Sequence, residues 1–582
     1  MDLASRLHEA FSAAIRAAFP DAPSTDPVLR RSDRADFQAN AGLALAKALK
    51  KKPQDVAAAI VEKVALPDVI DKLEVSGPGF INVTLKSEAI ARAVEAIAAQ
   101  ADLAPRAASP EKVVIDYSAP NVAKELHVGH LRSTVIGDAI ARVLEATGHT
   151  VIRQNHLGDW GTPFGMLIEH LIDLHPTDAL TIDLTISDLD GFYKAARAKF
   201  EGDEAFAARA RQRVVALQGG DADSRVLWLK LCAESRRYFQ AAYDRLGVTL
   251  KDSDVAGESS FGPDLPGIVE EVMTKLGPSG EARESEGALC LFPPGFTGGK
   301  EGHPLPLIIR KNDGGYGYAT TDLAAIKHRI QKLGATRLLY VVGAPQSQHL
   351  AMIYASAKLM GWLAPPVRAE HVAFGSILGP DKKMFKTRSG DTVKLLGLID
   401  EGTEKALAVV REKSPELDDA SKRENARAIA VGAIKYADLS SDRIKDYIFD
   451  WDRMLAFEGN TAPYMMYACA RVSSIARKAG ADGGSARLGA VLLVHPSERA
   501  LALELTEYAA TVSAVEASLE PHTLCTYLFT VASRFSTFFH DCPVLRAETP
   551  ELRAARLTLT ALTARVLSHG LGLLGIETLE RM

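Results

Sequence analysis

A chain of 582 residues with 47% hydrophobic and 24% charged side chains has the make-up of a soluble globular protein long enough for several domains. Its net charge of -5 neither selects nor excludes a nucleic-acid binder, because phosphate contacts need a local basic surface rather than a basic total. Five scattered cysteines with no Cys-x-x-Cys pair argue against a zinc ribbon and a disulfide framework. The amphipathic start, Met1 to Phe19, is no signal peptide, and no run reaches the roughly 18–20 apolar residues of a membrane span, so a cytoplasmic protein without membrane contact is expected.

In chain order, residues 1–107 read as a small α+β domain. Helical patterns cover Leu3–Phe19, Phe37–Lys50, Pro53–Val64 and Glu88–Gln100, and Gly79–Leu85 alternates apolar and polar residues as a strand does. Arg30-Arg31 and Lys50-Lys51-Lys52 suit phosphate contacts or plain solvated charge. The Pro/Ala-rich stretch 101–110 reads as a linker.

Residues 111–395 alternate strands with helices. Val113–Tyr117, Thr150–Asn155, Leu307–Arg310, Arg337–Val342 and His371–Ile377 are the predicted strands of a parallel, Rossmann-like sheet, in which ligands bind beyond the strand C-terminal ends. Residues from about 172 to 302 interrupt the alternation with helical patterns at Phe192–Phe200, Phe206–Leu217 and Ser224–Leu246, and read as an insertion. At the first strand's end stands Ser118-Ala-Pro-Asn-Val-Ala-Lys-Glu-Leu-His-Val-Gly-His-Leu-Arg-Ser133, leading into a helix over Thr134–Ala146. His127 and His130 are three apart, so they face one way. Gly129 removes a side chain between them, and the helix N-terminus favours phosphate. The spacing predicts a nucleotide site with two imidazoles aimed into it.

Beyond the last strand comes Gly379-Pro-Asp-Lys-Lys-Met-Phe-Lys-Thr-Arg-Ser-Gly-Asp-Thr-Val-Lys394, a loop rich in ammonium groups that suits a polyphosphate. Tyr318 and Asp322, four apart at a helix start, share a face, although Asp322 would also serve there as a dipole-stabilising residue. From residue 396 the patterns are helical throughout: a connector over 396–455 and a bundle over 456–582, with helices at Leu396–Glu412, Asp418–Leu439, Thr461–Ala479, Ser497–Ala517, Pro521–His540 and Glu551–Leu574.

His127-Val-Gly-His130 resembles the His-Ile-Gly-His signature of class I aminoacyl-tRNA synthetases, and the wider segment from Asp116 to Thr134 is similar to the arginyl branch. Lys383-Met-Phe-Lys-Thr387 resembles the second signature, Lys-Met-Ser-Lys-Ser, with Phe385 and Thr387 departing from it. The C-terminal segments Phe457–Arg471 and Gly570–Met582 look like the anticodon-binding domain of that branch, so the likeness spans essentially the whole chain. It implies ligation of L-arginine to its tRNA through an adenylate, with ATP and Mg2+, no protein-held metal, no DNA, and a monomer as the expected state. It implies that His127, Gly129, His130, Lys383 and Lys386 hold ATP, with Lys124 able to share the lysines' work. Asp116, Asn121, Tyr318, Asp322 and Gln346 (Gln348 competing with it) would bind arginine. Phe80 and Asn82, in the Gly77–Asn82 segment, and Tyr464, Tyr467 and Arg471 would contact tRNA. Trp160 offers a ring that could stack on a base, but reads rather as a buried core residue. The rivals are a cysteinyl-type synthetase, which needs cysteines near the signatures that this chain lacks, and a synthetase-like tRNA-binding or regulatory protein without catalysis.

Overall fold

A computed structural model describes residues 3–186, 188–298, 302–385, 393–478 and 490–579. At its centre four strands lie in the order Arg368–His371, Arg337–Tyr340, Lys112–Asp116, Thr150–Gln154, each pair parallel. Side chains alternate between faces and both faces are covered. Val113, Ile115 and Leu339 enter one core, while Val114, Leu338 and Tyr340 enter another. Register places Tyr340 beside Asp116 and Asp116 beside Gln154, so these three side chains finish adjacent strands in a row.

The helix Val128–Ala146 packs on this sheet so closely that a Cβ on Gly137 would stand 2.4 Å from Cβ of Tyr117. The multidomain α/β class holds: a small N-terminal domain precedes the sheet and a helical C-terminal part follows it. The N-terminal sheet is antiparallel, in the order Leu29–Arg31, Phe37–Ala39, Phe80–Leu85, Ile70–Ser76.

Several elements differ from the sequence reading. Residues 37–39 are strand, not helix: apolar Phe37 and Ala39 fit a period of two as well as a helix start, and pairing of Phe37 with Val83 decides it, the helix beginning at Ala41. Leu307–Arg310 lies outside the parallel sheet, antiparallel to Ala288–Leu291, which pairs in turn with Ala282–Ser285. Four apolar-alternating residues carry no mark of their partner. His371–Ile377 divides into Arg368–His371 and Ile377–Leu378; the latter pairs with Tyr447–Ile448, a short strand in the region read as wholly helical. Ser497–Ala517 is two helices, Pro496–Leu505 and Tyr508–Ser518. The Thr506 hydroxyl donates to the Leu503 carbonyl, and the Tyr527 hydroxyl to that of Glu504, so side chains take carbonyls at the break.

The helices between the sheet's halves, Leu189–Gly202, Glu204–Gln218 and Ala222–Leu246, each begin at an aspartate whose carboxylate accepts backbone N–H groups: Asp188, Asp203 and Asp221. The helix Asp419–Leu439 ties the sheet to the C-terminal bundle. Lys435 and Asp438 on it are buried against the helix 128–146, where Arg132 Nε donates to Asp438 Oδ1 at 3.3 Å. Tyr436 donates to Asn460 Oδ1 at 2.7 Å. Arg499 grips Asp36 of the N-terminal domain with two bonds of 2.6 Å. All five cysteines are buried and free, and among the described residues no helix is long and apolar enough to cross a membrane.

Gly137→Ala is expected to lower stability by about 1–3 kcal/mol through overpacking against Tyr117. Urea unfolding followed by tryptophan fluorescence checks it; an unchanged midpoint would mean the helix can lift off the strand without cost.

Candidate active site

The turn after Asp116 is bent by force of its surroundings. Ser118, Ala119 and Ala123 all have positive φ (72°, 47° and 62°), a region costly to residues with a Cβ. Three backbone N–H groups are caught by side chains from distant parts of the chain: Ser118 by Ser133 Oγ, Ala119 by Asn155 Oδ1 and Ala123 by Ser235 Oγ, each at 2.9 Å. Tyr243 hydrogen-bonds Ser118 Oγ at 2.8 Å and receives the Asn155 amide at 3.0 Å. Ser235 and Tyr243 belong to the helix Ala222–Leu246, so this helix braces the first signature. Neither residue announces itself in the sequence.

This turn delivers His127 as the N-cap of the helix Val128–Ala146. His127 Nδ1 accepts the N–H of Gly129 at 3.0 Å, and His130 Nδ1 accepts the N–H of His127 at 3.3 Å. The rings lie 4.0 Å apart. Because each Nδ1 acts as acceptor, each neutral ring carries its proton on Nε2 and presents it as a donor. Burial holds both below the ordinary histidine range; His130, beside His127, is pushed down to about 3. The pair is therefore neutral at physiological pH. The space a side chain at Gly129 would take is filled by the His127 ring, 2.7 Å from an ideal Cβ, so glycine is required by the cap itself as well as by any ligand.

The chain beyond the second signature returns to this point. Val128 donates its N–H to the Val393 carbonyl at 3.0 Å and Leu395 donates to the Leu126 carbonyl at 2.9 Å, making a bridge between His127 and Lys394. Lys394 reaches Glu125 at 3.0 Å and Asp188 at 3.3 Å, so it serves as a strut between signature and insertion, not as a loose phosphate ligand. Residues 377–385 fold back through a turn at Gly379–Lys382, where Lys382 has φ 60°. Lys383 is exposed. Phe385, a departure from the signature, stacks on Phe449 at 4.7 Å and pins the root of the loop. Lys386 lies outside the described residues. Lys124 is held over the Tyr193 ring at 4.5 Å.

Of the residues expected at arginine, Asn121 is exposed beside the histidine turn, in a bridge with Gly158. Tyr318 stands 75% exposed at the start of the helix Tyr318–Gln331, and Asp322 follows one turn on. Asp322 Oδ2 hydrogen-bonds His349 Nε2 at 2.6 Å. Gln346 and Gln348 are both exposed at the start of the helix Ser347–Leu359. Asp116 is not open to solvent: it is buried, with Oδ2 held by Arg329 at 2.7 Å. Sequence reasoning missed Glu258, which lies in the stretch without periodic pattern. Its carboxyl is pushed up to about 8 by burial and then by the negative charge of Asp159 and Asp322. Asp159 is likewise raised, chiefly by burial. Glu258, held above the ordinary range between the charges of Asp159 and Asp322, makes a place where a cation is favoured. Trp160, half-buried, packs edge-on against Trp228 at 5.6 Å.

Farther off, Phe80 and Asn82 sit half-buried on the N-terminal sheet. Both ends of the Asn82 amide are engaged, Oδ1 by Gln38 at 2.9 Å and Nδ2 on Ser76 Oγ at 3.0 Å. On the helix Ala462–Lys478, Tyr467 and Arg471 are exposed, the latter over the Phe539 ring at 4.7 Å, whereas Tyr464 is half-buried against Phe529. These residues are on separate parts of the molecule from the histidine pair.

A parallel sheet, a histidine-capped helix at its C-terminal edge and the segment 393–395 paired to that cap are the frame of a class I aminoacyl-tRNA synthetase. The family model for the class I (R) catalytic domain matches residues 93–451, that for the arginyl-tRNA synthetase N-terminal domain residues 5–85, and that for the DALR anticodon-binding domain residues 465–582. The chain belongs to the arginyl-tRNA synthetases. It is 52% identical to an arginine–tRNA ligase of Thermobifida fusca over 100% of this chain and 99% of that protein, and 46% identical to one of Proteus mirabilis over 100% of both. Among solved structures it resembles the arginyl-tRNA synthetases of Plasmodium falciparum (TM-score 0.86, 27% identity, 100% and 99% of the two chains covered) and Thermus thermophilus (0.80, 28%, 100% of both).

The buried, neutral state of His130 makes stability depend on pH. Its folded pKa is lowered to about 3, so the unfolded chain takes up the proton first as pH falls; stability is full above the ordinary histidine value of 6.5 and declines below it. Between about pH 7.5 and about pH 5, His130→Gln is expected to lose roughly 2 kcal/mol less stability than the unaltered chain. Urea midpoints at the two pH values check this; equal losses would mean that His130 is protonated in the fold.

Proposed function

We propose that the chain joins L-arginine to its tRNA in two steps at the histidine-capped edge of the sheet. In the first, a carboxylate oxygen of arginine bonds to the α-phosphorus of ATP and the bond to the β-phosphate oxygen breaks, giving arginyl-adenylate and pyrophosphate. In the second, the terminal ribose hydroxyl of tRNA attacks the arginyl carbonyl and AMP leaves. The substrate supplies the nucleophile, so the protein aligns groups and meets developing charge. The observation that carries this reading is the reciprocal cap: two neutral imidazoles, each with its proton on Nε2, side by side at a helix N-terminus.

In this reading His127 and His130 donate to phosphate oxygens, and Gly129 leaves the adenosine room. Lys383 and Lys386 neutralise the departing pyrophosphate, with Lys124 joining them once it leaves the Tyr193 ring. Mg2+ enters as part of the substrate on the ATP phosphates; among the described residues no three His, Cys, Asp or Glu side chains are grouped to hold a metal. Asp322, oriented by His349 and seconded by Glu258, takes the guanidinium, with Tyr318 along its flank. Asn121 and Gln346, both exposed, serve the amino-acid end, with the buried Asp116 behind them in the strand-end platform. Tyr467 and Arg471 offer an aromatic and a cation to unpaired bases, Tyr464 supports them from within the bundle, and Phe80 offers a stacking ring on the N-terminal sheet. A non-catalytic tRNA-binding role is not favoured: family models for all three parts match and the capped histidine pair is intact.

Arginine-dependent exchange of pyrophosphate into ATP, with and without total tRNA and with lysine and cysteine as controls, is the direct test. Exchange with arginine alone among the three is expected; tRNA binding with no exchange for any amino acid would leave only the binding role. Arginine recognition is also expected to release a proton. Glu258, raised to about 8, is mostly protonated at neutral pH in the free protein and must ionise beside the guanidinium. The arginine KM should fall by roughly tenfold per unit at most as pH rises toward 8, and Glu258→Gln should flatten the profile. A slope unchanged in the variant would place the titrating group elsewhere.

A further inference from the structure

Arg329 is almost wholly buried, yet the chemistry proposed above leaves it without a task. Its guanidinium reaches the last residue of three adjacent parallel strands. Nη2 donates to Asp116 Oδ2 at 2.7 Å, Nε donates to Gln154 Oε1 at 2.6 Å, and the group lies over the Tyr340 ring at 4.9 Å. Those three residues are in register, side by side, at the sheet's ligand-binding edge. Among the described residues no hydrogen-bond partner reaches Asp116 Oδ1, although it is buried. The fork therefore uses one oxygen of Asp116 and leaves the other as an acceptor.

Arg329 also stands on the helix Tyr318–Gln331, on the same face as Asp322, seven residues or two turns further on, roughly 10 Å along the axis. One side chain thus binds the strand-end platform, where the amino-acid end of the substrate is received, to the helix whose first turn receives its guanidinium. A planar five-donor group is suited to this, since its rigid fork fixes direction as well as distance, whereas an ammonium's donors rotate about its stem and fix no plane.

We infer that Arg329 is a positioning residue that sets the separation between the two ends of the arginine site, and with it the selection of substrate by length. The inference rests on the reading of that site as an arginine site. By pairing Asp116, Arg329 also keeps the platform from carrying a full uncompensated charge, so that the cation-attracting end is the one at Asp322 and Glu258.

The test uses the full chain and exchange kinetics with arginine and with homoarginine, which is longer by one methylene. Arg329→Lys keeps the charge and loses the fork. It is expected to raise the arginine KM at least on the order of tenfold, to leave the ATP KM within about twofold, and to raise homoarginine's kcat/KM relative to arginine's about tenfold, because the ruler is loosened. An unchanged arginine KM, an equal rise in both KM values, or an unchanged preference for arginine would each overturn the inference. Should Arg329→Lys fail to fold, Gln154→Met removes one arm of the fork and leaves the ion pair. A roughly threefold rise in arginine KM alone, with the same relaxation toward homoarginine, would support the inference, and unaltered constants would overturn it. If the unaltered chain shows no arginine-dependent exchange, the reading of the site falls instead.

Discussion

Between Asp116 and His127 the chain must leave a strand, reverse, and enter a helix with two imidazoles side by side. It does so through three non-glycine residues at positive φ, a conformation that persists only where the surroundings over-determine it. Those surroundings are Ser133, Asn155, Ser235 and Tyr243, each on a different element or a distant turn of one. Remove that web and the turn that delivers His127 and His130 loses the side chains that hold it. Strain at the turn and rigidity of the histidine pair are two sides of one constraint.

The site's electrostatics follow from burial as much as from charge. At one end, desolvation keeps both imidazoles neutral, so they act as hydrogen-bond donors and do not compete with lysines as cations. At the other, desolvation lifts Glu258 to about 8, which makes its ionisation conditional on a cation arriving, and raises Asp159 in the same direction. The same physics thus gives one end neutral N–H donors and the other a carboxyl that favours a cation. Between them the Asp116–Arg329 pair is already satisfied on one side and adds little net charge.

What could be read from the sequence was whatever local spacing dictates. The two histidines at i and i+3, the helix face shared by Tyr318 and Asp322, the parallel strands at 112–116, 150–154 and 337–340, and the long helices of the insertion and bundle are all matters of period and neighbour. What escaped is what depends on partners far along the chain. Phe37–Ala39 could begin a helix until Val83 is beside it. Leu307–Arg310 alternates like any strand, and only Ala288–Leu291 says which sheet it joins. Glu258 and Arg329 gain their meaning from neighbours about a hundred or more residues distant in sequence, near Asp159 and Asp116. Lys394 looked like one more phosphate ligand because its count of charges was visible and its carboxylate partners were not.

The insertion and the connector, which offered least to sequence reading, turn out to hold the signatures in place from opposite sides. The insertion gives Ser235 and Tyr243 to the turn, and Asp188 to Lys394. The connector helix gives Asp438 to Arg132, one turn beyond the cap, and through Tyr436 it holds the bundle that carries Tyr467 and Arg471. Arg132 and Asp438 are both fully buried, so neither can relax alone without leaving an uncompensated charge. A displacement of the bundle that moved the connector would therefore have to carry the histidine helix with it. The helix capped by His127 and the connector helix that holds the bundle are joined by a pair of buried charges that cannot cheaply be parted.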